Sequence, residues 1–185
     1  MTKIIAISTT HRNKSNTEAM LLECINEIRK SHPVELVKLR ELNMDQCDGC
    51  VGCDEEEKCH IKDSFSSIYP KILSADIWII SSPEYWWNVS GLCKNFIDRL
   101  NPYWKKREQY FKGKKVAILT CGGQPLDRNF YAENYLKHFF SKLYFDPIGS
   151  VRASADLQEE VLKQPLVLEE CRKLGEKITK IAVQK

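Results

Sequence analysis

Short apolar runs alternate with amphipathic stretches along the whole chain. The apolar runs predict five strands, at residues 3–8, 33–39, 76–82, 115–121 and, with a weaker pattern, 143–151. Helical periodicity predicts helices at residues 15–30, 63–75, 90–100 and about 130–143. A last helical stretch covers residues 159–183, and Pro165 either breaks it or starts a new helix there. Strands that alternate with helices indicate a parallel sheet with helices on both faces.

The number of strands narrows the topology. Right-handed crossovers leave few arrangements, and five strands favour the flavodoxin-like order 2-1-3-4-5 over a six-stranded dinucleotide-binding fold. No internal repeat, low-complexity tract or flexible linker interrupts the pattern. We therefore expect residues 1–185 to form one flavodoxin-like α/β domain, with a cysteine-rich loop at about residues 45–62.

Charge and hydropathy exclude several classes of protein. The net charge of +3, from 28 Lys and Arg against 25 Asp and Glu, is too small and too scattered to indicate a nucleic-acid binder. No stretch approaches the roughly 18 apolar residues of a membrane span, and the chain starts without the features of a signal peptide. We expect a cytoplasmic protein that binds neither nucleic acid nor membrane.

The loop after the first predicted strand is rich in hydroxyl, amide and guanidinium donors and leads directly into a helix. Backbone N–H groups at a helix N-terminus point outward and favour an anion, so this loop predicts a phosphate site. A polar loop with an ordinary helix cap is the alternative, because residues 15–17 (Ser-Asn-Thr) suit that role. The chain has no GxGxxG and no GxxxxGK[ST], which disfavours a dinucleotide fingerprint or a P-loop.

The run ISTTHRNKSNT, at residues 7–17, resembles the FMN-phosphate loop of the NADPH-dependent FMN reductases. The usual form in that family is a Gly-Ser-x-Arg stretch that ends in Ser-Asn-Thr. The chain departs from it at Thr9, where the family usually has glycine, while Thr10 keeps the hydroxyl of the family's serine. The resemblance implies that the phosphate loop of an FMN site consists of Ser8, Thr10, Arg12, Ser15, Asn16 and Thr17.

A second loop follows the third predicted strand, and SPEYWWN at residues 82–88 is similar to the family's flavin loop Ser-Pro-x-Tyr-x-x-Asn. An isoalloxazine ring needs apolar or aromatic walls and a few convergent polar groups, and this loop supplies both. The alternative is that its aromatic residues cover the sheet end or a subunit contact. Asp98 and Arg99, on the helix that follows, are expected to be structural. With two glycines after the fourth predicted strand, which also suit an ordinary turn, the expected ring site comprises Pro83, Glu84, Tyr85, Trp86, Trp87, Asn88, Gly122 and Gly123.

Four of the eight cysteines crowd into one segment with the spacing C-x2-C-x2-C-x5-C, namely Cys47, Cys50, Cys53 and Cys59. A compact run of thiolates with glycines between them can wrap around a 4Fe–4S cluster, whereas structural zinc usually takes two cysteine pairs with a longer spacer. The spacing resembles the compact motif of the iron–sulfur flavoproteins, a branch of the same family. The other cysteines (Cys24, Cys93, Cys121 and Cys171) are expected to pack as small hydrophobic residues.

Alternatives to a cluster stay open at this point. The four cysteines could remain reduced thiols, form a redox disulfide of the C-x-x-C type, or bind zinc. The negative charges of the acidic run at residues 54–57 would destabilise an anionic cluster unless the run faces solvent. We expect His60, next to Cys59, to be a surface residue and not a ligand.

The resemblance implies a flavin-dependent oxidoreductase with FMN, a 4Fe–4S cluster and NAD(P)H as a donor. A flavin exchanges electron pairs or single electrons, and a cluster passes one electron at a time. We therefore expect the protein to convert two-electron transfer into one-electron transfer. We expect no catalytic side chain, and the electron partner is a small molecule or a ferredoxin-type protein. The alternatives are a metal-free NAD(P)H-dependent FMN or quinone reductase and a non-enzymatic flavodoxin-like carrier. Large aromatic residues in excess of what one flavin needs predict a homodimer or homotetramer; these are Trp86, Trp87, Tyr103 and Trp104.

Overall fold

The computed structural model describes residues 1–183, apart from the side chain of Asp54, and its centre is a parallel β-sheet. The strands are β1 (Ile4–Ser8), β2 (Val34–Lys38), β3 (Ile77–Tyr85), β4 (Asn88–Val89), β5 (Lys115–Gly122) and β6 (Asp146–Ser154). Five of them pair in parallel in the order β2-β1-β3-β5-β6, and β4 pairs with β3 in the antiparallel direction. The predicted flavodoxin-like order is confirmed. The predicted total of five strands is corrected to six, because the chain after β3 turns back on itself in a two-residue strand.

Helices cover both faces of the sheet. They are α1 (Asn16–Ile28), α2 (Cys53–Glu56), α3 (Tyr69–Ser74), α4 (Gly91–Asp98), α5 (Arg107–Phe111), α6 (Tyr131–Lys142) and α7 (Pro165–Val183). One hydrophobic core joins the sheet to α1 and α7, and the other joins it to α3, α4, α5 and α6. No helix within residues 1–183 is long and apolar enough to cross a bilayer.

Alternating side chains of the strands supply both cores. All five residues of β1 are buried, and Ile4 and Ala6 face the α1–α7 core while Ile5 and Ile7 face the opposite one. A strand buried on both faces is apolar at nearly every position, which explains the continuous apolar run of β1 up to Ser8 at its end. Trp78 of β3 is fully buried and donates its indole N–H to the carbonyl oxygen of Ile72.

Prolines and one left-handed residue account for most differences from the predicted boundaries. The stretch at 63–75 divides into a 3₁₀ turn, Ser64–Ile68, and α3, whose first turn contains Pro70. Pro165 starts α7 after a separate turn at Glu160–Lys163. Tyr144, with φ of 63°, ends the turn after α6, so β6 begins at Asp146 and not at residue 143. The short helices α2 and α5 were not predicted.

Candidate functional site

A cleft lies beyond the carboxyl ends of β3, β5 and β6, next to the start of α1. It consists of two adjoining cavities of about 100 Å³ and 550 Å³ that share residues from β3, β5 and the segment after β6. Because ligands of open parallel sheets bind at this edge, the position suits a cofactor. The predicted residues that line it are Arg12, Ser15, Asn16, Thr17, Pro83, Glu84, Tyr85, Trp86, Trp87, Gly122 and Gly123.

Three predicted residues do not line these cavities. Ser8 is buried and donates its hydroxyl to the Glu18 carboxylate at 3.0 Å. Thr10 is also buried, and its hydroxyl oxygen accepts a bond from the Arg12 backbone N–H at 3.2 Å, which shapes the loop. Asn88 lies in β4, where its side-chain oxygen accepts from the Val89 N–H. In this structure these side chains support the cleft from behind or beside it.

The start of α1 presents hydroxyl groups to the smaller cavity. The Ser15 hydroxyl caps the helix by accepting from the Glu18 N–H at 3.4 Å, and it lies 3.0 Å from the Thr17 hydroxyl. The Asn16 amide instead donates to the carbonyl of Leu157 and accepts from the Val161 N–H. Asn16 therefore ties α1 to the segment after β6, and the donors that remain are the hydroxyls and the first amides of the helix.

Glu18 is a buried carboxylate in the first turn of α1, and sequence reasoning missed it. It forms ion pairs with Lys38 and Arg40 and accepts from Ser8. Burial acts to raise the pKa of the Glu18 carboxyl, but these hydrogen bonds outweigh it and hold the pKa below its ordinary value. Its fixed charge is neutralised within the fold.

The aromatic loop is a tight β-hairpin between β3 and β4. Trp86 and Trp87 occupy its two central positions with φ of 49° and 57°, the left-handed conformation that such a turn requires. Glycine or asparagine usually fills these positions, because a bulky side chain there costs about 1–2 kcal/mol. Trp86 is 88% exposed and Trp87 59% exposed, with their rings edge to face. The hairpin thus holds two large rings at the mouth of the larger cavity.

Gly122, at the end of β5, lets the backbone beside the cleft pack closely against the Asn129 side chain. A side-chain carbon there would come within 2.8 Å of Asn129 Oδ1. Asn129 cannot easily move away, because its amide nitrogen donates to the carbonyls of Gly122 and Ala153. At Gly123 the nearest atom is Asp156 Oδ1, at 3.1 Å. The first glycine is therefore required by packing, while the second is less confined.

Residues outside the predicted set also line the cleft; they are Cys121, Gln124, Ala155 and Asp156. The carbonyl of Asp156 accepts a bond from Arg12 at 3.3 Å, which joins the first loop to the end of β6. The predicted last strand ended at residue 151, too early to bring Asp156 to this edge. Glu84 lines the cleft too, but its carboxylate accepts from the Ala132 N–H and so caps α6.

A separate cavity, of about 440 Å³, is lined by all four clustered cysteines. The segment that carries them lies against the C-terminal end of α4. Ser90, whose hydroxyl donates to the Thr9 carbonyl, caps the opposite end of this helix. Cys47 and Cys50 are exposed, Cys59 is partly exposed and Cys53 is buried. The other walls include residues 97–102, Trp104, Phe139 and Leu143.

An ion pair closes the cysteine-rich segment at its base. Arg99, the residue after α4, contacts the Asp63 carboxylate in a bidentate manner and also donates to the carbonyl of Asp45 at 2.7 Å. Asn95 adds bonds to the carbonyls of Met44 and Asp45 at 3.3 Å. Burial acts to raise the pKa of Asp63, but the Arg99 hydrogen bonds and further contacts keep it below its usual value. Arg99 is structural, as predicted, and it holds both ends of the segment together.

Several polar groups near the cysteines bond to a sulfur or compensate a nearby carboxylate. The Asn101 side-chain amide donates to the Sγ atom of Cys53 at 3.2 Å. Glu55 and Glu56 face solvent, and Glu57 pairs with Lys106 and accepts from Tyr110. The side chain of Asp54, the remaining member of the acidic run, lies outside the described part. Glu55 and Glu56 therefore meet the condition stated for an anionic cluster, and the charge of Glu57 is offset by Lys106.

Metal-ligand atoms also come close to one another on the outside of the segment. In the described part of the chain, one set of three lies within 4.8 Å, and it consists of Asp48, Cys50 and His60 rather than three of the thiols. His60 is an exposed side chain 2.8 Å from Asp48, in keeping with its expected surface position. No three of the thiol sulfurs in the described part come this close to one another.

The isolated cysteines are buried, as a hydrophobic role requires. Burial raises the pKa of the Cys93, Cys121 and Cys171 thiols to about 12, so they remain protonated at neutral pH. Cys24 is fully buried as well.

The predicted group of exposed aromatic residues needs two corrections. Tyr103 is only 8% exposed, because it packs against Tyr69, Tyr110 and Phe111. Trp104 lines the cysteine cavity and carries Arg107 at 3.9 Å over its ring, so it does not belong to the sheet end. Trp86 and Trp87, with the less exposed Tyr85, form the exposed aromatic surface at the cleft.

Comparison with known proteins agrees with this geometry. A profile of the family described as NADPH-dependent FMN reductase matches residues 2–157. An iron-sulfur flavoprotein of Methanocaldococcus jannaschii is 27% identical over 190 residues, covering 97% of this chain and 96% of that protein. An FMN-dependent NADPH-azoreductase of Staphylococcus aureus is 32% identical over 127 residues, covering 66% of this chain and 61% of that protein. The solved structure of Trp repressor binding protein from Bacillus subtilis superimposes with a TM-score of 0.72 at 21% identity, covering 93% of this chain and 98% of that one.

The parallel sheet and the cleft at its carboxyl edge define a flavodoxin-like protein. With the profile spanning most of its length, the chain belongs to the NADPH-dependent FMN reductase family. It is a flavin-dependent oxidoreductase with FMN as its cofactor, which confirms the predicted family, fold and class of enzyme.

Proposed function

We propose that this oxidoreductase binds FMN in the cleft and a 4Fe–4S cluster in the cysteine cavity, and that it links an electron-pair donor to a one-electron partner. The observation that carries the proposal is that four cysteines, spaced C-x2-C-x2-C-x5-C, line a single cavity. The iron-sulfur flavoprotein that aligns over nearly the whole chain supports it.

In this proposal two parts of the cleft bind two different parts of FMN. The start of α1 receives the phosphate, with the Ser15 and Thr17 hydroxyls, the Arg12 guanidinium and the first helix amides as donors. The hairpin of Tyr85, Trp86 and Trp87 and the Gly122-Gly123 backbone form the walls for the ring. Asn16, Thr10 and Ser8 fix the loop through hydrogen bonds within the protein.

The cysteine cavity fits a cluster in its donors, size and charge. Four thiols supply the complete ligand set of a 4Fe–4S centre. Asn101 offers a hydrogen bond to one thiol sulfur, which compensates part of the negative charge that four thiolates would bring. Arg99 also lines the wall, but its charge is already paired with that of Asp63.

The spacing of the thiols favours a cluster over a single zinc ion. Thiolates on one tetrahedral zinc ion, with bonds of about 2.3 Å, would lie roughly 3.8 Å from one another. In the described part of the chain no three of the thiol sulfurs lie within 4.8 Å of one another. A larger group with four separate thiolate attachment points suits this arrangement better.

When bound, FMN supplies hydride acceptance and single-electron release, and a 4Fe–4S cluster supplies one-electron transfer. The chain itself binds, orients and shields. The hairpin forms one wall of the larger cavity. The Arg99–Asp63 pair fixes the segment that presents the thiols.

Purification without oxygen, followed by iron, sulfide and flavin analysis, tests the proposal. We expect one FMN and about four irons and four sulfides per chain, with an electron paramagnetic resonance signal after reduction. Zinc in place of iron, or no metal after anaerobic reconstitution with iron and sulfide, would overturn the cluster and leave a metal-free flavin reductase. Aerobic NADPH oxidation by the pure protein would favour a reductase over a carrier that works only with a protein partner.

A further inference from the structure

We infer that Asn101 is a positioning residue for the cluster site and that its N–H···S bond to Cys53 raises the reduction potential of the cluster. This inference rests on the proposed cluster and adds a residue outside the cysteine motif to it. The bond joins the side-chain nitrogen of Asn101 to Sγ of Cys53 at 3.2 Å.

The position of Asn101 is fixed by the fold, so the bond is built in before any metal is bound. Asn101 begins the 3₁₀ turn Asn101–Tyr103 directly after α4, and its carbonyl accepts from the Trp104 N–H. Pro102 follows, and its ring restricts the backbone at the turn. Arg99, two residues earlier, holds both ends of the cysteine-rich segment and therefore keeps Cys53 close to Asn101.

Cys53 is also the thiol at which such a bond matters most. It is 8% exposed, whereas Cys47 and Cys50 are exposed to solvent. Water can donate to an exposed thiolate but reaches a buried one poorly, and a hydrogen bond is stronger where the local dielectric constant is low. Asn101 thus supplies a donor where solvent does not.

The effect on the potential follows from charge. Reduction adds one electron to the cluster, with no bond broken, so the reduced form carries one more negative charge on its iron, sulfide and thiolate atoms. A donor aimed at a thiolate sulfur stabilises that form more than the oxidised form, and hydrogen bonds to sulfur are among the determinants of cluster potentials. Loss of the bond should therefore make reduction harder.

A purely structural role for Asn101 is the competing explanation, and Asn95 provides the matched control. Asn95 is an asparagine on α4 that donates to the backbone carbonyls of Met44 and Asp45 in the same segment. Its amide stabilises the segment without bonding to a sulfur. Asn101→Leu removes the donor at similar size, and Asn101→Asp replaces it with a negatively charged acceptor.

The experiment is a redox titration of anaerobically reconstituted full-length protein with dithionite, followed by cluster absorbance and electron paramagnetic resonance, with iron and sulfide content as the loading check. We expect Asn101→Leu to lower the potential by up to about 59 mV, a tenfold change in a one-electron equilibrium. Asn101→Asp should lower it further, and Asn95→Leu should leave it unchanged. FMN content should be the same in all three.

The remaining outcomes separate this inference from the proposed function. An intact cluster whose potential does not move in Asn101→Leu, or moves equally in Asn95→Leu, overturns the role of Asn101 alone. Loss of the cluster from both Asn101 variants also overturns it, because Asn101 would then be needed only for assembly. A wild-type protein without iron after reconstitution overturns the cluster, and this inference with it.

Discussion

The Arg99 guanidinium and the Asp63 carboxylate form a bidentate ion pair with N–O distances of 2.6 Å and 3.1 Å, and both side chains are fully shielded from solvent. The pair joins the end of α4 to the end of the cysteine-rich segment, and the same Asp63 accepts from the Asp45 N–H at its start. Its loss would therefore act on the fold and on the cysteine site together.

Asp63→Ala should lower the free energy of unfolding by about 3–5 kcal/mol, because it leaves the Arg99 charge buried without a partner. Denaturant unfolding monitored by circular dichroism measures this. Glu35→Ala is the control, because its pair with Lys71 is exposed on both sides and should cost less than about 1 kcal/mol. Equal losses in the two variants would contradict the importance of the buried pair.

Gly122→Ala should destabilise the protein by about 1–3 kcal/mol, since the added carbon meets Asn129 Oδ1 and forces an overpacked layer to shift. Gly91→Ala is the matched control: it starts α4 and has no atom within 4 Å of the added carbon. Thermal unfolding of the two variants distinguishes them. A Gly122 variant as stable as the Gly91 variant would show that Asn129 can move aside.

Arg12→Ala should weaken FMN binding about tenfold, because a charge-assisted hydrogen bond to phosphate is worth roughly 1.5–3 kcal/mol. Titration by flavin fluorescence quenching gives the dissociation constant. His11→Ala, at the exposed neighbouring position, should leave it unchanged. Unaltered affinity in the Arg12 variant would remove Arg12 from the phosphate site.

Self-association through the tryptophan hairpin remains a prediction. Trp86 and Trp87 are largely exposed at the cleft, and exposed aromatic surface usually marks an interface. Sedimentation velocity at micromolar concentration should show a dimer or tetramer that Trp86→Ala weakens. Leu166→Ala, which removes an 80% exposed apolar side chain on α7, should have no effect. A wild-type monomer would rule out the assembly.

The sequence predicted what depends on local pattern, and it missed what depends on long-range contact. Continuous apolar runs identified the five parallel strands, and the cysteine spacing identified residues that share one cavity. The bond between Asn101 and Cys53 spans 48 positions and leaves no periodic signal. Asp156 was missed because the weak last strand, interrupted by Pro147 and Gly149, was placed three residues too early. The left-handed conformation at Trp86 was not predicted, because the residue type disfavours it.

The last prediction is that Cys47, Cys50, Cys53 and Cys59 act as one unit. A cluster needs all four thiolates, so replacing any one by serine should abolish or degrade the centre instead of weakening it slightly. The measurement is iron and sulfide content after anaerobic reconstitution. FMN content should survive in each variant, because the cleft and the cysteine cavity have no lining residue in common in the described part of the chain.

Cys171→Ala and Cys24→Ala are the controls for this series, because both thiols are buried in the α1–α7 core on the opposite face of the sheet. They should retain the iron of the wild type. Exposure makes Cys47 and Cys50 the thiols of the motif most open to oxygen, so in the proposed centre protein prepared in air should show free thiols and regain iron only on reconstitution. Retention of full iron content in Cys50→Ser would mean that the cavity holds its metal with fewer thiolates, and the four-cysteine centre would be wrong.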